Sequence, residues 1–452
     1  MSSHSVALNN TDEFAPFNEK VSKGRMLILG FQHVLTMMPV SVSVPLILGS
    51  ALELDTRTTS YLVSATLFTT GITVLLQTFG LGRLFGSRLP LMFGASFAPL
   101  GIMILLGKQY GLPMVFGAVI GSAVLMAVIS CFLHKLLRFM PPVVSGSFVT
   151  FIGISLAPAA FTDLAGGAGH ADFGSPRNFA LGLVVMAIIL LISRYGRGIV
   201  KSISLLIGLL IGSLISWPMG LIDFTPLQQV PVIEIITPFH FGAPQFALAP
   251  ILMMTVFCFV NLLQCLGGVS VLDDINGLET SHRLQIRMIR AQVLGQAIAG
   301  CFNSGASTVF KENIGLFKLS GLQSRSLLLM AAVMMMLLSI FPQISTAFTL
   351  IPKPVLGGAM VILFGIILAA GISILSKVVH KASNFTIIGT SLSAGIGAEF
   401  AKGAFQQFPE LLSMLLSNGL FVVSFTAIVL NIVLNRESTL LVKKSITQEQ
   451  PA

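Results

Sequence analysis

Few residues in this sequence have the chemistry to grip a ligand or exchange a proton, and they stand in apolar surroundings. Glu312 follows the small-residue run Asn303-Ser-Gly-Ala-Ser-Thr308 and opens Glu312-Asn313-Ile-Gly315. A carboxylate in such a setting is costly in a bilayer; it serves a substrate or ion pathway, or pairs with a cation, here the adjacent Lys311. His33, in Gly30-Phe-Gln-His33-Val, carries an imidazole that titrates near neutrality. It could relay a proton or be satisfied by a neighbouring carbonyl. Asn261, Gln264 and Gly268 recur at i, i+3 and i+7, which places them on one helical face. A stripe of this kind walls a cavity or bonds neighbouring helices. Ser96 and Phe97, in Gly94-Ala-Ser-Phe-Ala98, could meet a flat ligand, with the ring as a stacking platform or as core packing.

The elements that carry these residues must be membrane helices. Of 452 residues, 54% are hydrophobic and 10% charged, against about 25% charged in a soluble domain. Continuous apolar runs of about 20 residues recur from Met26 to Leu434, which excludes a barrel of short alternating strands. The net charge of +9 does not indicate nucleic acid, because the basic residues are scattered at segment ends. Cys131, Cys258, Cys265 and Cys301 lie in apolar segments without metal-ligand spacing and read as core hydrophobes. No metal, cofactor or cleaved signal peptide is expected. Neither a P-loop nor a nucleophile–base pair emerges, so ATP-driven transport and an intramembrane enzyme are both disfavoured.

The expected fold is all-α and polytopic, with about 14 transmembrane segments. Most of the 26 Lys and Arg fall on one side if both termini are cytoplasmic, leaving Arg57, Lys108, Arg177, Lys353 and Lys402 outside. Residues 1–24 and 436–452 are then cytoplasmic tails flanking one membrane unit, 25–435. Tyr61, Tyr110, Tyr195 and Trp217 are expected at the interfaces, and Asp163 in an outside loop, leaving Glu312 as the carboxylate at depth. Gly117-x-x-x-Gly121 and Gly208-x-x-x-Gly212 are expected to pack helices closely. The third and tenth segments are both interrupted, by Pro90-Leu-Met-Phe-Gly-Ala-Ser-Phe-Ala-Pro99 and by the run before Glu312. Interruptions at corresponding places imply two inverted seven-segment repeats, with extended stretches lining a site near the midplane.

At these residues the sequence resembles the nucleobase–ascorbate transporter family, which includes bacterial uracil, xanthine and uric acid permeases. The likeness runs from about Leu27 to Leu434. It rests on Gly30-Phe-Gln-His-Val-Leu, Val44-Pro-Leu-Ile-Leu-Gly49, Pro141-Pro-Val-Val-Ser-Gly146, Ile351-Pro-Lys-Pro-Val-Leu-Gly-Gly358, and the signature Glu312-Asn-Ile-Gly315 followed by Ser320-Gly321. The resemblance implies a core domain of about 25–134 and 246–347, and a gate domain of about 135–245 and 348–435. It also implies a homodimer in the bacterial inner membrane, and a base held between the third and tenth segments with polar contacts from the eighth.

The sequence departs from the family at telling places. Gln264 stands where most members bind substrate with Glu, Gly268 where they have Asp, and Gln292 where purine permeases carry an important Asp. The signature opens with Glu312, as in uracil permeases. A carboxylate and an amide can still clamp the donor–acceptor edge of a base. The resemblance therefore implies import of a nucleobase, a purine such as xanthine or uric acid, by proton symport with alternating access. Glu312, Gln264, Asn313, Phe97, Ser96 and Gly268 would bind, Glu312 and His33 would couple protons, and Asn261, Gln292 and Gly315 would support them. The alternatives are a uracil or pyrimidine permease, an uncoupled facilitator, and an anion channel or exchanger on the same architecture.

Overall fold

The computed structural model describes residues 6–7, 17–82, 84–132, 141–276, 278–378 and 381–435. In chain order the elements begin with β1 (Val6–Ala7), α1 (Lys23–Ala51), α2 (Thr56–Phe79), β2 (Phe93–Ala95), α3 (Leu100–Tyr110) and α4 (Leu112–Cys131). Next come α5 (Pro142–Leu164), α6 (Pro176–Tyr195), α7 (Ile199–Ser202), α8 (Ser204–Ser216), α9 (Thr225–Gln229), α10 (Leu248–Asn276) and β3 (Leu278–Glu279). Then follow α11 (His282–Cys301), β4 (Ser307–Val309), α12 (Lys311–Ser320), α13 (Arg325–Ser339), α14 (Pro342–Thr349) and α15 (Lys353–Ser376). The chain closes with α16 (Ala382–Phe400), α17 (Glu410–Leu416) and α18 (Gly419–Leu434).

Among the described residues, seven helices are long and apolar enough to cross a membrane: α1, α2, α4, α5, α6, α10 and α15. The expected eleventh segment is instead a pair, α13 and α14, bent by 80°. Pro342, at the first turn of α14, has no N–H to continue the ladder across the break. The third and tenth segments are half-extended, as their small residues and prolines foretold: β2 precedes α3, and β4 precedes α12.

The chain packs as two compact units, Met1–Ser130 with Ala159–Val361, and Cys131–Pro158 with Ile362–Ala452. In the first, α2 packs along α11, α13 and α14, and α1 along α2, α13 and β2. The hydroxyl-rich α2 buries its polar side chains by turning them onto its own carbonyls. Thr66 donates to the Leu62 carbonyl at 2.8 Å, Thr69 to Ala65 at 2.8 Å and Thr73 to Thr69 at 2.9 Å. Ser64 donates to Ser345 at 2.7 Å, fixing α2 on α14. In the second unit α16 packs on α18, where Gly395 meets Val423 and the Gly419 carbonyl.

The small-residue pairs act as spacers. A Cβ at Gly121 would lie 2.6 Å from Ile251 side-chain atoms, and one at Gly212 would lie 2.5 Å from Val185 Cγ2. These glycines let α10 approach α4 and α6 approach α8.

One expectation needs correction, and one residue at a segment end is more enclosed than expected. Tyr61 is 5% exposed. Its hydroxyl donates to the Thr237 carbonyl at 3.0 Å and its ring stacks on His240 at 3.7 Å, because the 231–247 loop folds back over the end of α2. Asp163 is not in a loop but is the penultimate residue of α5, and only 5% exposed. The Ser50 hydroxyl donates to its Oδ1 at 2.9 Å, and Gly357 of α15 packs against the backbone at Asp163 and Leu164.

Candidate functional site

Two three-residue strands define the site. β2 and β4 pair antiparallel, with Phe93 opposite Val309, Gly94 opposite Thr308 and Ala95 opposite Ser307. The ladder continues beyond the strands, since Ser96 N–H donates to the Ala306 carbonyl and Phe310 N–H to the Met92 carbonyl, each at 2.9 Å. Backbone that leaves a helix inside a membrane must find its partners elsewhere, and here each interrupted segment supplies them to the other. Gly94 is required by proximity: a Cβ there would lie 2.7 Å from Ser41 Oγ and would overlap the Phe310 ring. Ser41 in turn accepts from the Ala95 N–H at 3.2 Å, tying β2 to α1.

The polar stripe of α10 runs along this strand pair. Asn261 Oδ1 accepts from Ser96 Oγ at 2.7 Å, one residue past β2. One turn on, Gln264 Oε1 accepts from Thr308 Oγ1 of β4 at 3.2 Å. A further turn on, a Cβ at Gly268 would lie 2.5 Å from Val309 Cγ1. The i, i+3, i+7 spacing thus matches successive positions of the paired stretches. Small size at Gly268 is what allows α10 to close on β4.

Around this core the other expected residues divide by contact. Gln292 of α11 is 1% exposed and donates through Nε2 to the Ser307 carbonyl at 2.9 Å, bracing β4. Asn313 is fully buried and donates to the His33 carbonyl at 3.2 Å, so it joins α12 to α1. The His33 ring lies 4.8 Å from the Phe317 ring, centroid to centroid. Phe97 is 8% exposed in the turn leading into α3. Gly315 faces open space. Glu312 is the second residue of α12, and its side chain lies outside the described residues.

Several buried polar atoms here have no hydrogen-bond partner among the described residues: Asn261 Nδ2, Gln292 Oε1, Ser307 Oγ, Asn313 Oδ1 and His33 Nδ1. Such atoms are uncommon in a packed interior, and these five, of eleven among the described residues, lie on the elements that meet at or beside this strand pair. Both half-helices also start here without a side-chain cap, α3 after Pro99 and α12 after Phe310. Their first-turn N–H groups carry partial positive charge, which suits carbonyl or anionic groups of a ligand.

Sequence reasoning missed Thr308, Ser41, Ser307 and Lys311. The first three are small hydroxyl residues in apolar runs whose contacts are distant in sequence: Thr308 with Gln264, Ser41 with the β2 backbone, and Ser307, through its carbonyl, with Gln292 of α11. Lys311 stands out in the sequence only as the cation adjacent to Glu312.

Comparison with known proteins agrees with this architecture. Residues 24–403 match the Permease family. The chain is 41% identical over 413 residues to the xanthine permease of Bacillus subtilis (strain 168), covering 91% of this chain and 94% of that one. It is 36% identical to uric acid permease PucK of the same organism, covering 90% and 95% respectively. Against the uric acid transporter UacT of Escherichia coli (strain K12) identity is 33%, covering 95% and 90%. Among solved structures it is similar to murine Slc26a9, an anion transporter in the inward-facing state, with TM-score 0.65, 12% identity, and coverage of 94% of this chain and 70% of that one. The transmembrane domain of the cyanobacterial bicarbonate transporter BicA gives TM-score 0.56 at 14% identity, with 92% and 100% covered. These two likenesses concern the fold. The register of the strand pair, the stripe laid along it and the match over nearly the whole chain converge: the protein belongs to the nucleobase–ascorbate transporter family of membrane permeases.

Proposed function

We propose that this permease is a secondary active transporter that imports a nucleobase, a purine such as xanthine or uric acid, by proton symport with alternating access. The observation that carries the reading is the contact of Asn261, Gln264 and Gly268 with the two interrupted segments. A planar base with adjacent donors and acceptors suits an amide on one side and a carboxylate on the other. Glu312 binds the base and alternates its protonation, with His33 as the second titratable group. Gln264 and Asn313 orient the site, Ser96, Phe97 and Gly268 shape it, and Asn261, Gln292 and Gly315 support them.

The fold in this reading has fourteen membrane segments in two inverted repeats, with α13 and α14 counted as one broken span. A core of about 25–134 and 246–347 moves against a gate of about 135–245 and 348–435 in a homodimer. Both termini face the cytoplasm of a bacterial inner membrane. This grouping is by movement, whereas the two compact units are groupings by packing.

Uptake of radiolabelled xanthine, uric acid and uracil into cells, with and without a protonophore, tests the proposal. Purine accumulation that collapses with the proton gradient is the expected result. Preference for uracil, or uptake indifferent to the gradient, would replace it with a pyrimidine permease or a facilitator. Glu312→Gln should abolish gradient-driven accumulation; unchanged binding and coupling in that variant would exclude Glu312 from both roles.

A further inference from the structure

Lys311 is the first residue of α12, separated from β4 by Phe310 alone, and its side chain is exposed. In the transporter reading, on which this inference rests, that position is near the bilayer midplane. An ammonium there is expensive unless it faces water, a counter-charge or a ligand. Its surroundings make the cost larger. It opens a helix whose N-terminus has no side-chain cap, so the backbone dipole adds positive potential where the lysine already stands. The Lys311 Nζ lies 3.3 Å from where a Cβ on Gly267 would be, alongside the α10 face that carries Gln264 one turn earlier. No ion pair reaches Lys311 among the described residues.

The second feature is the sense of the Gln264 amide. Its Oε1 accepts from Thr308 and keeps one lone pair, while its Nε2 hydrogens donate to nothing among the described residues and are the larger capacity left for a ligand. Gln264 is half-buried, as a side chain bordering a cavity would be. On this flank the site therefore presents an ammonium, an amide donor and the uncapped N–H groups of a helix, an arrangement that calls for a ligand edge made of acceptors. The titratable groups near Lys311 are the Cys265 thiol, within its electrostatic reach from α10, and Glu312, next on its own helix. β2 and β4 carry none. Successive helical positions are set about 100° apart, so Lys311 and Glu312 occupy different faces of α12.

We propose that Lys311 is a ligand-binding residue which, with the Gln264 amide, receives the carbonyl-rich edge of an oxopurine in its ionised form. The base then lies with its acceptor edge toward α10 and Lys311, and its N–H edge is left for Glu312. An oxopurine anion carried together with one proton moves no net charge, so uptake of such a substrate is electroneutral.

The test uses the full-length protein reconstituted in vesicles, with Lys311→Met and Lys311→Arg. Binding of radiolabelled uric acid, ionised at neutral pH, is compared with that of hypoxanthine, a neutral oxopurine. Loss of a charge-assisted contact should weaken uric acid by about tenfold in Lys311→Met. Hypoxanthine should be weakened clearly less, and Lys311→Arg should restore uric acid. The wild type's preference for uric acid should also fade as the pH is lowered and the ligand becomes neutral. Equal losses for both bases, or no loss for uric acid, would overturn the assignment. If the wild type binds neither base, the nucleobase reading fails by itself. In that case oxalate and bicarbonate are the probes: binding that depends on Lys311 upholds a site for acceptor-edged anions, and indifference to Lys311 overturns it.

Discussion

Thr308 of β4 donates a hydrogen bond to Gln264 of α10 at 3.2 Å, and this contact joins the polar stripe of a long helix to a three-residue strand. The strand is held from behind by Gln292, which donates to the Ser307 carbonyl at 2.9 Å. The orientation of one amide thus depends on two helices and the register of a strand pair.

Thr308→Val keeps the shape of the side chain and removes the hydroxyl. Gln264 then loses the contact that fixes its amide, and affinity for the transported base should fall about three- to tenfold. Thr308→Ser should retain most of it. Competition of unlabelled base against labelled uptake measures both.

Gly268→Ala introduces a methyl group 2.5 Å from Val309 Cγ1. Either β4 or α10 must shift, so transport should drop steeply while the protein still reaches the membrane. Val309→Ala in the same chain should recover a substantial part. A double variant no better than the single one would show that the glycine serves another purpose than closeness.

Asp163 is buried with a Ser50 hydrogen bond, and Lys353 is its charged partner. Asp163→Ala leaves Ser50 and Lys353 without it and should cost about 2–3 kcal/mol. Asp163→Asn keeps a partner for Ser50 and should cost less, and adding Lys353→Met to it should restore part of the loss. Thermal midpoints of the purified variants give the ranking. Ser50 lies in the expected core and Asp163 in the expected gate, so transport rates belong beside the midpoints.

Asp55 caps α2, accepting from the Thr58 N–H at 3.2 Å. Hydrogen bonding from Thr58 holds the Asp55 carboxyl below its usual range, against a smaller opposing push from burial. A carboxyl depressed on folding contributes stability that is complete above its unfolded pKa and disappears as pH falls through the folded one. Asp55→Ala should therefore lower the midpoint at neutral pH, by less than about 1 kcal/mol for so exposed a cap. The gap from wild type should narrow on acidification. A gap that widened in acid would contradict this sign.

The sequence by itself determined that the chain crosses a membrane many times, because 54% hydrophobic content and long apolar runs leave no other solvent. It also marked two interrupted segments, the third and the tenth, since clusters of small residues and proline do not sustain a helix there, whereas the break between α13 and α14 went unmarked. The stripe Asn261–Gln264–Gly268 was legible because helical periodicity is local. What the stripe touches was not legible, for the contacts of Ser96 with Asn261 and of Thr308 with Gln264 are properties of register between distant segments. Nothing local to Asp163 announces burial; it comes from α1 and α15 closing over the end of α5. The same holds for Lys311, whose neighbour Glu312 is adjacent in sequence. Only the approach of α10, permitted by glycines at 267 and 268, brings its ammonium to the Gln264 face. Local chemistry decided which residues could act, and packing at glycine-sized distances decided which of them meet.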